Sequence, residues 1–447
     1  MQNRLLAENL PATGLKKMSV MQLLTATYFM VAGGPFGLEE IVHGAGYLGA
    51  VLILVLTPLV WSLPTALMVS ELSAAIPEDG GYYAWVKRGM GRFWGFQEAW
   101  LSLAASIFDM AIYPTLFVLY LGRLAPELGH GAPAVVIGLA VIAACAALNL
   151  LGARSVGGSS VGMSVVLLAP FAIIVVLAAP RSLAATAPVA TQALTGRGVL
   201  AAFLVAMWNC MGWDNASTVA GEVEHPERTY PLAMLGAVAL LAATYVLPVL
   251  AVSRVGVAPA EWSTGSWADV ARNLGGQWLA VAVVVAGMVS GFGMLNALIL
   301  SYTRIPLALA EDGFLPRVFT RRNAGNGAPW VAILVCAVCW ALCLGIGFER
   351  LVALDIMLYG LSLVLEFVAL VVLRIRQPGL PRPYRVPGGL LGAIGVGVLP
   401  TLLLGIALWN ARDDRLGKVS ALTFGAGVML LGVVIYAVSG LFRRKTA

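Results

Sequence analysis

The sequence predicts an all-α, polytopic membrane protein with 12 transmembrane helices, and three observations carry that expectation. Of its 447 residues, 60% are apolar and only 11% charged, with a mean hydropathy of +0.88, a balance far from that of water-soluble domains. Apolar runs of roughly 20 residues, the length a bilayer-spanning helix needs, recur along the whole chain. Two of these runs are broken in their middles, five helices apart. The 50 glycines and 23 prolines fit the same class, because packed membrane helices re-satisfy the backbone groups that Gly and Pro set free.

Cut where charges and Gly/Pro clusters fall, the spans run 18–42, 48–72, 93–123, 133–151, 159–180, 198–222, 229–253, 278–308, 328–346, 350–375, 391–411 and 419–441. The first is interrupted by Gly33-Gly34-Pro35-Phe36-Gly37 and the sixth by Asn209-Cys210-Met211-Gly212-Trp213-Asp214-Asn215. Paired interruptions in corresponding helices are the sequence pointer to a transporter built from inverted repeats, with substrate held at the midplane between broken helices. The expected organisation is one transmembrane domain over 1–447, with repeats at about 18–180 and 198–375 and two further helices over 391–441.

Charge sets the orientation. With the amino terminus inside, 19 of the 28 Lys and Arg residues fall on the cytoplasmic side, which places both termini in the cytoplasm of a cell membrane by the positive-inside rule. This accounts for the net charge of +6 without a nucleic-acid partner. The opening segment, MQNRLLAENLPATGLKK, is too polar for a cleavable leader.

The acids within or near the apolar zone are more telling. Glu39, Glu40, Glu98, Asp109, Asp214, Asp355 and Glu366 face one comparable cation, Arg304. An ionisable group at the bilayer centre costs on the order of 3 kcal/mol, so such groups usually face the bundle interior and serve a pathway. An excess of acids implies a cationic cargo, a proton carrier, or both. Asp109 and Tyr113 are four residues apart, with Glu98 and Tyr120 eleven residues to either side of Asp109, all on one helical face. Asp355, Tyr359, Ser362 and Glu366 form a second stripe. Carboxylates neutralise ammonium groups and aromatic faces attract them, which is chemistry suited to an amine. Ser362 is expected to bond its own backbone.

Other features are weaker. Cys336, Cys339 and Cys343 share a face, but no His or carboxylate accompanies them, so no metal or cofactor is expected. His43 lies beside the first break, whereas His130 and His225 read as loop residues. No phosphate-cradling loop, dinucleotide fingerprint or nucleophile elbow is present, which leaves secondary transport rather than ATP-driven transport or an enzyme. A scaffold or sensor would need an appended soluble domain, and the longest extramembrane stretches, about 70–92 and 309–327, are short.

A family resemblance then rests on the ordered motifs Gly33-Gly34-Pro35-Phe36-Gly37-Leu38-Glu39, Trp61-Ser62-Leu63-Pro64, Pro77-Glu78-Asp79-Gly80-Gly81-Tyr82, Phe93-Trp94-Gly95-Phe96-Gln97 and Asp109 with Tyr113-Pro114. It continues through Trp213-Asp214, Ala220-Gly221-Glu222-Val223, Ala310-Glu311-Asp312-Gly313-Phe314-Leu315-Pro316, Leu365-Glu366-Phe367-Val368 and Arg382-Pro383-Tyr384. With these motifs the chain resembles the amino acid, polyamine and organocation transporter superfamily, and within it the polyamine:proton symporters of plants and protists. The resemblance implies a leucine-transporter-like fold of five plus five inverted helices with two appended, working by alternating access. It also implies a substrate site around Gly33, Gly34, Gly37, Glu39, Asp109, Tyr113, Trp213, Asp214, Tyr359 and Glu366. In amino-acid-carrying relatives, free amides of the broken first helix bind the substrate carboxylate. Here Pro35 lacks an amide hydrogen and Glu39 adds negative charge, which disfavours a carboxylate. Glu39, Asp109, Asp214 and Glu366 are therefore expected to neutralise substrate ammonium groups or to carry the coupled proton. The fifth span has no lysine, only Arg154 at its edge, and Ser301 and Thr303 are candidate sodium ligands or backbone-bonded hydroxyls. Cationic or neutral amino acids are the alternative cargo.

Overall fold

A computed structural model describes residues 17–184, 196–255, 257–344, 348–410, 415–416 and 419–443. The opening segment 1–16, the basic residues at 4, 16, 412, 418, 444 and 445, and the extreme ends of the expected single domain lie outside the described residues. The described chain is helical apart from a two-residue antiparallel ladder, Arg415–Leu416 with Val419–Ser420.

Among the described residues, eight helical stretches are long and apolar enough to cross a membrane: Glu39–Ala75, Arg92–Leu124, Gly131–Asn149, Ala153–Ala184, Pro226–Val252, Gln277–Glu311, Leu354–Arg376 and Gly389–Trp409. Three shorter apolar helices accompany them, Val20–Val31, Trp330–Ala341 and Thr423–Ser439. Large apolar side chains point outward from these helices; Leu48, Leu52, Leu56 and Leu59 form one such stripe, each more than half exposed. In water a patch of this kind would drive aggregation, whereas lipid tails cover it at no cost.

The first span opens with α1 (Val20–Val31), started by a capping box in which the Ser19 N–H donates to Gln22 Oε1 at 3.0 Å and the Gln22 N–H donates to Ser19 Oγ at 3.4 Å. After an unwound stretch, α2 (Glu39–Thr57) begins, turns a corner at Gly46 (φ 63°, ψ 175°), and continues through a π-helical turn at Pro58–Ser62 into α3 (Leu63–Ala75). The sequence reading separated the first and second spans at a loop. Gly46 instead joins them without one, because only glycine reaches that φ without strain. Two short helices join the expected spans: α4 (Tyr82–Met90), and α10 (Ser266–Gly275) between α9 (Pro226–Val252) and α11 (Gln277–Tyr302).

The centre of the bundle is α5 (Arg92–Leu124), which packs most extensively on α11 and on α14 (Phe348–Arg376). Around it stand α6 (Gly131–Asn149), α7 (Ala153–Ala184), α8 (Gly196–Trp208), α12 (Arg304–Glu311), α13 (Trp330–Ala341), α15 (Gly389–Asn410) and α16 (Ala421–Arg443). The second broken element stops at Trp208 and resumes as a 3₁₀ helix, Trp213–Glu222, rather than as α-helix. Lipid supplies no apolar drive between helices, so close packing and interhelical hydrogen bonds must hold the bundle. Asn149 Nδ2 to Asn296 Oδ1 at 3.0 Å, and Trp340 Nε1 to Ser106 Oγ at 3.3 Å, are bonds of that type.

Candidate functional site

Both helix breaks lie in the bundle interior and touch each other. Residues Ala32–Leu38 leave the helical path, with Gly34 and Gly37 at φ +80° and +86°. Gly212, at φ +96°, closes the second break so tightly on the first that a Cβ there would sit 2.5 Å from the Met30 carbonyl oxygen. No other residue fits that φ and that approach together. Gly33 is equally confined, since its Cβ would fall 2.1 Å from Ser290 Oγ.

Between the breaks lies a small cavity of about 30 Å³. Gly33, Phe36, Trp208, Asn209, Gly212 and Asn215 come from the broken segments, Asp109 and Tyr113 from α5, Ser290, Met294 and Tyr302 from α11, and Asp355 and Tyr359 from α14. Its lining contains two carboxyl groups and no lysine, arginine or histidine. Asp109 accepts from Tyr113 at 2.5 Å and from Tyr302 at 3.2 Å, which fixes the carboxylate at the wall. Pro114, immediately beyond, supplies no amide to the helix and loosens it at this turn. Asp355 is 4% exposed, and its Oδ1 has no hydrogen-bond partner. A buried carboxylate oxygen without a donor is costly.

A second group of acids lies behind the cavity wall. The Tyr359 hydroxyl, which accepts the Gly212 N–H at 2.9 Å, donates to Asp214 Oδ1. The Glu366 carboxyl, close enough to Asp214 for the two charges to interact, has no hydrogen-bond partner of its own. Glu98, whose Oε1 accepts from Ser102 at 2.8 Å, completes the group. Trp213 is fully buried with its indole N–H on the Cys210 carbonyl at 2.9 Å, so it braces the break. Trp213, Asp214, Glu366, Glu98, Gly34, Gly37 and Glu39 do not line the cavity.

Glu39 stands on the opposite side of the first break. Its carboxylate accepts from the Gly37 N–H at 2.7 Å, the Tyr120 hydroxyl at 3.1 Å and the Gly265 N–H at 3.2 Å. One amide freed by the unwound segment is thus already taken by a side-chain carboxylate. Above it, Phe36 packs edge-on against Tyr120 and Phe171, and Phe171 against Trp267, whose indole N–H donates to the Pro35 carbonyl at 2.8 Å. This aromatic plug packs on the first break.

Outside the cavity, ion pairs and backbone bonds tie the ends of the broken elements to their neighbours. The Met18 N–H donates to the Glu222 carbonyl at 2.9 Å and the Glu224 N–H to the Met18 carbonyl at 3.0 Å. Arg304, 1% exposed, pairs with Glu222 at 2.7 Å. Lys87 pairs with Asp312 at 2.6 Å, and Arg322 with Asp79 at 3.1 Å. At the Asp312 carboxyl, burial pushes the pKa up, but hydrogen bonds from Lys87 and Tyr83 outweigh it and hold the group below its ordinary value.

Asp355 and Glu98 are buried; Glu40 and His43 are exposed. Ser362 bonds the Tyr359 carbonyl, as its position suggested, and Thr303 bonds the Ile299 carbonyl. Ser301 instead donates to Asn215 Oδ1 at 2.7 Å, tying α11 to the second break. Sequence reasoning missed Tyr302, hidden in an apolar run, and Glu71, fully buried against Arg374 and Arg382. Glu71 carried a signal, being an acid in an apolar span with an arginine cluster late in the chain. Among the described residues the five cysteines are free thiols, and no group of three metal-ligating side chains occurs.

This geometry, two touching helix breaks around an acid-lined cavity, agrees with comparison to known proteins. A family model described as amino acid permease matches residues 23–435. The chain belongs to the amino acid permease family. This permease is 35% identical over 395 residues to the polyamine transporter RMV1 of Arabidopsis thaliana, covering 88% of the present chain and 80% of the relative. It is 35% identical over 421 residues to the polyamine transporter PUT1 of rice, Oryza sativa subsp. japonica, covering 94% and 78%. It is 28% identical over 339 residues to the serine/threonine exchanger SteT of Bacillus subtilis, covering 73% and 75%. The permease is a multi-pass membrane transporter of the amino acid, polyamine and organocation superfamily; its family and these relatives are transporters, not enzymes.

Proposed function

We propose that this permease imports a cationic amine, a polyamine such as putrescine or spermidine, by proton-coupled symport with alternating access. The observation that carries the reading is the cavity in which Asp109 and Asp355 face the same space with no lysine, arginine or histidine in the lining. Two carboxylates with aromatic neighbours suit a molecule carrying two or more ammonium groups, each neutralised by an acid and flanked by the faces of Tyr113, Tyr302 or Tyr359. Glu39 supports the choice of an amine, because its carboxylate already holds the Gly37 amide, a hydrogen bond that an amino-acid carboxylate would otherwise take. In this scheme Gly33, Gly34 and Gly37 shape the break, Asp109 and Asp355 bind substrate, and Asp214 and Glu366 serve the coupled proton. The bundle is read as 12 spans, two inverted five-helix repeats over about 18–180 and 198–375 plus helices over 391–441, in the cell membrane with both termini cytoplasmic. The excess of basic residues on that side supports the orientation.

The decisive experiment is uptake of radiolabelled putrescine and spermidine into proteoliposomes under an inward proton gradient, with sodium absent and arginine, lysine and alanine as competitors. Gradient-dependent polyamine uptake that resists the amino acids is the expected result. A second reading, an amino acid permease or exchanger, is favoured by the similarity to the serine/threonine exchanger. Exchange of a labelled amino acid with no polyamine entry would establish it instead.

A further inference from the structure

We propose that Asp214, Glu366 and Glu98 form a dedicated proton site, separate from the substrate cavity and joined to it by the Tyr359 hydroxyl. The proposal rests on the amine-symport reading above and specifies where the coupled proton is held.

The observation behind it is an unusual lack of donors. Glu98 and Glu366 are fully buried and Asp214 is 2% exposed. Neither Glu366 oxygen, nor Glu98 Oε2, receives a hydrogen bond from any N–H or O–H. Among the described residues no lysine, arginine or histidine pairs with any of the three acids. The Asp214 and Glu366 carboxyl groups are nevertheless close enough for their charges to repel. Two buried carboxylates without cations and with almost no donors are costly, and a proton on one of them removes the repulsion and much of the desolvation cost. The pair is therefore built to carry one proton, and its gain or loss is the event that changes its energy most.

The groups that face this site come from four elements. Tyr359 and Glu366 belong to α14, Glu98 to α5, Asp214 to the 3₁₀ helix and Tyr82 to α4. Charged groups on the remaining neighbours are engaged elsewhere. Glu71 of α3 is held by Arg374 and Arg382, Lys87 of α4 by Asp312, and Tyr436 of α16 stacks on Phe93 and Phe96. In α15 no titratable residue occurs.

Coupling runs through one hydroxyl. Tyr359 lines the substrate cavity, accepts the Gly212 amide of the second break, and donates to Asp214. When Asp214 is a carboxylate, that bond is charge-assisted and pins the break; when the pair gains a proton, the bond weakens to a neutral one. The step balances simply: an O–H bond forms on the pair with a proton from the side of higher proton concentration, and breaks to water on the other side once the bundle has reopened. No oxidant or reductant is involved.

The test separates coupling from binding. Glu366→Gln and Glu98→Gln, in the full chain reconstituted into proteoliposomes, are assayed for gradient-driven putrescine accumulation across a range of pH and for putrescine counterflow at equal pH. The expected result is that both variants, and Glu366→Gln most severely, lose accumulation above equilibration and lose its pH dependence while retaining counterflow. Glu366→Asp, which keeps the carboxyl, should restore part of the accumulation. If Glu366→Gln keeps wild-type accumulation and pH profile, the proton site is overturned while the amine reading stands. If the variants lose counterflow as well, the proposal is also overturned, because the acids then serve binding or folding rather than coupling. If the wild-type protein itself moves no putrescine, the amine reading has failed instead.

Discussion

Acidic residues sit in two regions of this bundle under opposite conditions. Away from the cavity, each of the acids Glu71, Glu222, Asp79 and Asp312 has a basic partner, respectively Arg374, Arg304, Arg322 and Lys87. In the middle of the bundle, Asp109, Asp355, Asp214, Glu98 and Glu366 have, among the described residues, only hydroxyl donors or none. Paired buried charges close a structure, because their loss strands a counter-charge. Unpaired buried acids add no stability and are retained where a cation or proton must come and go. The same residue type thus acts as a clamp in one region and, in the scheme proposed above, as a receptor in the other.

Removing a clamp should have the largest effect on stability. Glu71 is fully buried and receives Arg374, Arg382 and the Val386 amide, the last at 2.7 Å. Glu71→Gln should strand two guanidinium groups and destabilise the protein by about 3–5 kcal/mol, read as a marked drop in thermal unfolding temperature in detergent. A stability close to wild type would erase the proposed contrast between the regions.

The receptor acids should show the opposite pattern. Asp355→Asn keeps the shape but removes a charge that no protein cation needs, so thermal stability should be unchanged or raised, while polyamine uptake falls by about tenfold or more, roughly 1.4 kcal/mol in lost substrate pairing. Equal losses in stability and uptake would assign Asp355 to the clamp class.

Glu39 is an intermediate case, an acid held entirely by neutral donors. Tyr120→Phe removes one of its three donors, leaves the Gly37 and Gly265 amides in place, and should cost about 1 kcal/mol in unfolding free energy. A much larger loss would show that the phenol also gates the aromatic plug.

The smallest expected effect concerns Asp312. With its carboxyl held below the ordinary value by Lys87 and Tyr83 despite partial burial, its contribution to stability is present above the ordinary carboxylate range and lost as pH falls through the lowered value. The stability difference between wild type and Asp312→Asn should thus be constant at neutral pH and shrink only below about pH 4. Thermal unfolding across pH 3–7, roughly the range over which carboxylates titrate, would measure it. A difference that vanished near neutrality would reverse the sign of this argument.

The chain's own residues determined a great deal. Apolar runs of spanning length, two breaks five spans apart, and an excess of intramembrane acids are local properties of composition and spacing, and each follows from what lipid refuses to solvate. The corner at Gly46 and the 3₁₀ form of Trp213–Glu222 were not legible, because they are set by neighbours packed from elsewhere in the chain. The helical stripes correctly grouped Asp109 with Tyr113, yet they also joined Glu98, Asp109 and Tyr120 on one face as if they served one site. A helix as long as α5 spans several environments, so Glu98 meets Asp214, Asp109 meets Tyr302, and Tyr120 meets Glu39. Likewise Tyr359 lines the cavity while Glu366, on the same stripe of α14, lies behind its wall. Periodicity reports the direction a side chain faces, but only tertiary packing decides what waits there at each depth, and depth separates an acid that meets an arginine from one left without a cation.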